Sequence, residues 1–395
     1  MDYLLFYYLY IFCMYVCPRC GNKDPRYIGL KSGQPYCRKC IGFIGREALE
    51  NSNQSFQSLV KVSYELSQEQ KEASEKIVNA IRSGNNVLVS AVCGSGKTEL
   101  TFEVIRESLI KGQQVGFAIP RRDVVIEIYR RLKSIFPHNK VVAVYGGHNE
   151  TLEGEIIVLT THQLYRYVNY FDVLIMDEID AFPFAGDDVL QAMFKRSLRG
   201  HFILMSATLG NKKLSEFSKS GGQVVTLDTR YHRHPLPEPK IVIMLGILKL
   251  FFLIRKLREF IQLGKPVFVF TPTIAKCEDV AAFINKWVRG GAHVHSQLSN
   301  RDEIIEAFRN GEYKYLVTTA VLERGVTVKN LQVIIYESDH SIYTASALIQ
   351  IAGRVGRKKD APEGEVIFLS DRTTKAMEEA ICEIRNKNKS LSHLL

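Results

Sequence analysis

The stretch "NVLVSAVCGSGKTEL", residues 86 to 100, restricts the fold more than any other part of the chain. An unbroken apolar run reads as a strand buried on both faces. A glycine-rich turn follows it, and then the start of a helix. Gly94 and Gly96 let the main chain curl so that successive N–H groups face one point, and the helix N-terminus behind them adds its partial positive charge there. A strand, loop and helix in that order form a phosphate cradle.

The remainder repeats the alternation of short apolar runs with longer helical patterns. Strands are predicted at 86–92, 114–119, 141–145, 156–160, 172–177, 202–206 and 223–227, and a second set at 267–271, 292–294, 315–319, 332–337 and 365–369. Continuous Val/Ile/Leu runs separated by helices indicate an α/β fold with two doubly wound parallel sheets. The break falls in "TRYHRHPLPEPK", 229–240, where three prolines in five residues suit a stiff connector. The expected organisation is an apolar segment at 1–16, a cysteine module at 17–50, one α/β domain at 60–228, the connector, and a second domain at 241–395. "NSNQSFQS", 51–58, reads as a linker.

Cys17, Cys20, Cys37 and Cys40 form C-x2-C-x16-C-x2-C. Two such knuckles can offer four thiolates to one zinc ion, a closed shell that holds a fold together and leaves no position open for catalysis. The alternative, two disulfides, needs an oxidising compartment, and the chain carries no export signal. The first 16 residues are apolar and aromatic but too short to span a bilayer. They read as the odd N-terminus of a cytoplasmic protein, as a membrane-surface anchor, or as the product of a start codon upstream of a true start at Met14. No other stretch looks transmembrane, so an integral membrane protein is not expected.

A net charge of +10 favours a polyanionic partner, nucleic acid or an anionic membrane surface.

Lys97 has the position to reach the β- and γ-phosphates of a nucleotide in the cradle, with Ser95 in the loop and Thr98 placed to ligate Mg²⁺. "VLIMDEID", 173–180, ends a buried strand in acids. Ligands of open parallel sheets bind beyond the carboxyl ends of the strands, so this cluster arrives beside the cradle. Asp177 is expected to hold Mg²⁺ through its hydration shell, Glu178 to polarise the attacking water, and Asp180 to bond to coupling elements. In "QIAGRVGR", Gln350, Arg354 and Arg357 are spaced i, i+4, i+7, which predicts one helical face with two guanidiniums aimed at phosphate. If the second domain closes over ATP held by the first, they become arginine fingers. Gln70, in a capped helix at 66–77, could read an adenine edge, and the hydroxyls of Ser206 and Thr208 in "MSAT" could sense the γ-phosphate.

In this order, Gln70, the cradle at 91–98, "IPRR" at 119–122, "TTHQL" at 160–164, "DEID", "SAT", "VFTPT" at 269–273, "TTAVLERGVT" at 318–327 and the 350–357 segment resemble a superfamily 2 helicase or translocase. The four-cysteine module, with "DEIDAFPF", "RYHRHPLPEP" and "LERGVT", more narrowly resembles the ComFA family, the ATPase of natural competence in Gram-positive bacteria. That resemblance implies two RecA-like domains with ATP, Mg²⁺ and Zn²⁺ as ligands. Gly325 joins Asp180, Ser206 and Thr208 in coupling. It also implies a cytoplasmic motor at the inner face of the membrane that draws single-stranded DNA through the uptake channel, with late-competence and DNA-processing proteins as partners. The chain departs from DEAD-box RNA helicases in reading "DEID", and in carrying Thr327 where they end a motif in a ribose-contacting Asp, which argues against RNA unwinding.

Nucleic-acid contacts are expected from Arg121, Arg122, Thr160 and His162 in one domain and Thr273, Thr318 and Thr319 in the other. Hydroxyls, N–H groups and cations suit phosphates and read no bases. Two rival readings stay open: a duplex-unwinding helicase of replication restart or repair, and a nucleotide-gated adaptor that binds a protein partner through its zinc module.

Overall fold

Buried strands line up side by side wherever the apolar runs predict them. The computed structural model describes residues 14–49, 65–180, 184, 186–322, 326 and 328–392. A hairpin of β1 (Ile28–Lys31) and β2 (Gln34–Cys37) comes first. Lys31 pairs with Gln34, so the loop is the two residues Ser32 and Gly33, whose φ values of 50° and 78° are those of the mirror-image turn that matches strand twist.

The next seven strands are β3 (Val87–Ala91), β4 (Val115–Ile119), β5 (Val141–Val144), β6 (Ile156–Thr160), β7 (Phe171–Met176), β8 (Leu198–Ser206) and β9 (Gln223–Leu227). They form one sheet in the order β5-β6-β4-β7-β8-β3-β9. The β5·β6, β6·β4, β4·β7, β7·β8 and β8·β3 pairs are all parallel. All residues of β4 and β6 are buried, as strands covered by helices on both faces must be.

A second, wholly parallel sheet follows: β10 (Lys240–Ile243), β11 (Val267–Phe270), β12 (Gly291–Val294), β13 (Tyr315–Thr318), β14 (Gln332–Tyr336) and β15 (Val366–Ser370), in the order β10-β15-β14-β11-β13-β12. The α/β class with two parallel sheets is thus as expected. β10 is an addition. It is a four-residue edge strand without one fully buried residue, and it follows directly on the proline-rich stretch, so periodicity does not announce it.

The chain separates into two compact units. Lys97–Thr226 belongs with the described residues before Ala91, and Ala91–Gly96 belongs with Leu227–Leu395. The segment 229–240 packs onto the second unit: Leu236 lies in its core, and its N–H and carbonyl bond the Asn388 amide of the helix Lys375–Ser392 at 2.8 and 2.9 Å. No described helix is long and apolar enough to cross a membrane. Of the apolar segment 1–16, residues 1–13 lie outside the described residues, as does the linker at 51–58.

Candidate nucleotide site and cysteine centre

Parallel pairing decides what meets at the sheet edge. Ser90, at the end of β3, is in register with Ser206 of β8, and Met176, at the end of β7, is in register with Leu204. The loop after β3, the acids after β7 and the "SAT" segment after β8 therefore leave the same edge from three adjacent strands. Strands spaced about 4.8 Å apart put the first and the third roughly 10 Å from each other, a span that a phosphate chain with its metal can bridge.

Gly94 and Gly96 adopt φ of +83° and +80°, a region that costs other residues roughly 1 kcal/mol or more. The turn they make is followed by a short 3₁₀ segment, Glu99–Thr101, and then the helix Phe102–Ile110. Thr98 is buried, and its carbonyl accepts from the N–H and hydroxyl of Thr101 at 3.1 and 2.7 Å.

Asp177 continues the β4 ladder through its N–H to the Ala118 carbonyl at 3.0 Å. Its Oδ1 accepts the Glu178 N–H at 2.8 Å, which accompanies a left-handed φ of 59° at Glu178. A glutamate in that region is strained by roughly 1–3 kcal/mol, and such strain concentrates at functional sites. Asp180 accepts from the Ser206 hydroxyl at 2.7 Å and the Thr208 hydroxyl at 2.5 Å, so the ends of β7 and β8 are tied by one carboxylate.

Other residues sit differently from their sequence reading. Gln70 is buried, and its Oε1 accepts the Ser67 N–H at 2.9 Å while its own N–H bonds Ser67 Oγ, so the amide closes a capping box. The helix carrying Gln350, Ala345–Ala352, ends before either arginine. The single helical face predicted for Gln350, Arg354 and Arg357 is therefore replaced by a turn in which Gly356 has φ of +69°. There Arg354 is buried and donates to the Val326 carbonyl at 2.8 Å, while Arg357 Nε donates to the Gly353 carbonyl at 3.0 Å. Gly325 lies outside the described residues.

Among the candidate nucleic-acid residues, Arg121 stands at the N-cap of the helix Arg122–Ile135 without a side-chain capping bond, and Arg122 lies over the Tyr145 ring at 5.1 Å. Thr273 caps its helix by accepting the Lys276 N–H. Thr160 is largely buried at the end of β6. Thr318 is fully buried and gives its hydroxyl to the Val294 carbonyl at 2.9 Å, so its side chain offers nothing to a strand at the surface; Thr319, next to it, stays partly exposed.

The four cysteines converge. All their sulfurs lie within 4.8 Å of one another, with Cys17 and Cys40 at 3.5 Å and Cys20 and Cys37 at 3.7 Å. Disulfides need about 2.05 Å. Four sulfurs bound tetrahedrally at about 2.3 Å stand about 3.8 Å apart, which this cluster matches. Burial pushes the Cys20 thiol up to about 11 and Cys40 higher still; at Cys17 burial is outweighed by the main-chain N–H groups of Cys20 and Arg19, and its thiol is lowered. The soft, buried donor set fits zinc, which when bound supplies a structural cross-link.

The segment after the cluster is fastened to the first unit. Tyr165 Oη donates to the Ile44 carbonyl at 2.9 Å, Arg166 Nη1 to the Arg46 carbonyl at 2.9 Å, and the Ala48 N–H to the Arg166 carbonyl at 2.8 Å. Arg46 pairs with Glu153, Arg196 with Glu47, and Phe43 stacks on His162. Gly45 lets both side chains approach closely: a Cβ there would stand 2.6 Å from Arg166 Nη1 and Tyr165 Oη, and those side-chain ends would have to shift. Neither Arg166 nor Tyr165 is identifiable from sequence; each looks like an ordinary helix-surface residue. Arg166→Ala is expected to cost about 1.5–3 kcal/mol of docking and to expose the 43–49 segment to limited proteolysis. Unchanged cleavage kinetics would refute the fastening.

Residues 68–217 match the DEAD/DEAH box helicase family and residues 252–359 the helicase conserved C-terminal domain. In fold, the chain is similar to S. cerevisiae Dbp5 bound to RNA and ADP BeF3, with a TM-score of 0.63 at 17% identity over 82% of this chain and 88% of that one. Two RecA-like units with helicase motifs define an ATP-dependent helicase or translocase of superfamily 2, a DNA-dependent ATPase. "Competence protein ComFA" of Bacillus subtilis is 36% identical over 95% of this chain and 86% of its own length, and that of Streptococcus pneumoniae is 32% identical over 94% and 90%. The chain belongs to the ComFA family.

Proposed function

We propose that this protein is an ATP-driven single-stranded DNA translocase serving DNA uptake in natural transformation, working in the cytoplasm at the inner face of the membrane. The observation that carries the ATPase half is the β7-β8-β3 adjacency, which brings cradle, acids and hydroxyls to one edge. In this reading ATP lies on the main-chain N–H groups of Gly94–Gly96, with Lys97 against its β- and γ-phosphates. Thr98 and Asp177 offer hard oxygen donors suited to Mg²⁺, which when bound neutralises phosphate charge. Glu178 orients and deprotonates the attacking water, and Arg357 meets the charge that grows on the γ-phosphate. Asp180 passes the change through Ser206 and Thr208 to the end of β8.

The uptake role is supported by family membership and by the excess of positive charge, which suits sequence-independent contact with phosphates. Late-competence and DNA-processing proteins and a membrane DNA-uptake channel are proposed as its partners, on the resemblance to the ComFA family alone. Turnover measured in parallel with single-stranded DNA, duplex DNA and RNA tests the reading. Single-stranded DNA is expected to stimulate most; equal turnover with and without DNA would refute the motor and favour a nucleotide-gated adaptor. Strand displacement from a duplex would instead point to the helicase.

A further inference from the structure

Arg230 is the most deeply buried cation in the described chain that the proposed chemistry does not use. Its side chain is 2% exposed. Nη1 donates to the carbonyls of Val355 and Gly356 at 2.9 and 2.8 Å, and Nη2 to that of Gly353 at 3.3 Å. One planar fork thus fixes three main-chain oxygens of the turn that bears Arg354 and Arg357, a geometry that only a guanidinium supplies. Its neighbours fasten the same turn. His232 Nε2 lies 2.9 Å from the Gly356 carbonyl, and the Tyr231 hydroxyl donates to the Arg357 carbonyl at 3.4 Å while accepting the Lys359 N–H at 3.2 Å.

Two further facts concern the other side of the guanidinium. Nε has no hydrogen-bond partner, although it is buried. The side chain lies along the glycine loop, with Nε, Cδ and Cγ at 3.8, 3.9 and 3.9 Å from where a Cβ on Gly94 would be, and the adjacent Tyr231 N–H reaches the Gly94 carbonyl at 3.5 Å. Gly94, Arg230 and Gly353–Arg357 all belong to the same compact unit. No described carboxylate pairs with Arg230. Burial and the nearby Arg357 together pull its guanidinium down to about 10, the mark of a cation held without its counter-charge. Buried charge of that kind is costly unless something neutralises it.

We propose that Arg230 is a positioning residue of the nucleotide site: it fixes the turn bearing Arg357 through its Nη atoms, and the triphosphate on the Gly94 loop is its counter-charge. This rests on the ATP-site reading above. It makes the 230–232 segment a strut between the part of the site that grips phosphate and the part that meets developing charge. A diphosphate would satisfy it less well than a triphosphate.

The test uses the full chain and calorimetric titration with Mg²⁺-bound adenosine β,γ-imidotriphosphate and with Mg²⁺-ADP, comparing wild type, Arg230→Gln, Arg230→Lys and Lys97→Ala. Arg230→Gln is expected to weaken the triphosphate analogue about tenfold more than ADP, the scale of one charge-assisted contact. Arg230→Lys keeps the charge and should hold affinity within about threefold, yet lower ATP turnover about tenfold, because an ammonium cannot fork across three carbonyls. Wild-type binding of both nucleotides by Arg230→Gln would overturn the proposal. Equal losses for both, with a lowered melting temperature of the nucleotide-free protein, would also overturn it, by showing a merely structural role. Should Arg230→Gln not fold, wild-type turnover in Arg230→Lys is the overturning result. Lys97→Ala separates the two readings: if it binds the analogue normally, the ATP site itself is misplaced, whereas its loss of binding beside an unaffected Arg230→Gln sinks only the strut.

Discussion

Glu178→Gln is expected to lower ATP turnover by about 10²- to 10⁴-fold, the usual contribution of a positioned general base, while nucleotide affinity stays near wild type. The substitution keeps size and hydrogen-bonding reach and removes only the ability to take a proton. The strained backbone at position 178, with φ of 59°, is unaffected, since the side chain does not set it. Single-turnover hydrolysis and equilibrium binding, measured on the same preparation, separate the two quantities. Undiminished turnover would remove Glu178 from the chemistry, and a matching loss of affinity would mean that it binds nucleotide and does not activate water.

Zinc removal should have the largest structural effect. Metal binding to small four-cysteine modules carries apparent free energies of about 10–16 kcal/mol near neutral pH, comparable to or larger than the stability of a whole domain. The hairpin β1–β2 has two four-residue strands and little apolar interior besides the cysteines, so without the ion it has nothing to fold around. A strong chelator is expected to unfold residues 17–40, read by loss of protease protection there, with one zinc released per chain. Cobalt substitution should give the absorption of a tetrahedral four-thiolate centre, and its absence would refute the assignment. Because the metal must displace protons from the raised thiols of Cys20 and Cys40, affinity should fall steeply as pH drops.

The physics explains what could be read from the sequence. Parallel strands buried on both faces leave unbroken Val/Ile/Leu runs, so twelve strands and both sheets were legible. The glycines of the loop at 91–96 and the acids after β7 were legible because their chemistry permits few other residues. Hydrogen-bond destinations were not. Thr318 carries the right group, but tertiary packing spends its hydroxyl on the Val294 carbonyl, and the Gln70 amide oxygen goes to the local capping box with Ser67. The spacing of Gln350, Arg354 and Arg357 suggested a helix, and two glycines with a carbonyl-binding arginine made a turn of it. Arg230 was invisible for a related reason: beside three prolines and among histidines it reads as a solvated connector, and only its burial shows otherwise.

The fastening of residues 43–49 bears on how the protein can be observed. With main-chain bonds, two ion pairs and a ring stack holding it, the cysteine arm must tumble with the first RecA-like unit as one body and not as a tethered bead. A fluorophore at the exposed hairpin tip, Ser32, would then behave as a rigid pointer. Its anisotropy would report the rotation of the unit to which residues 43–49 are fastened.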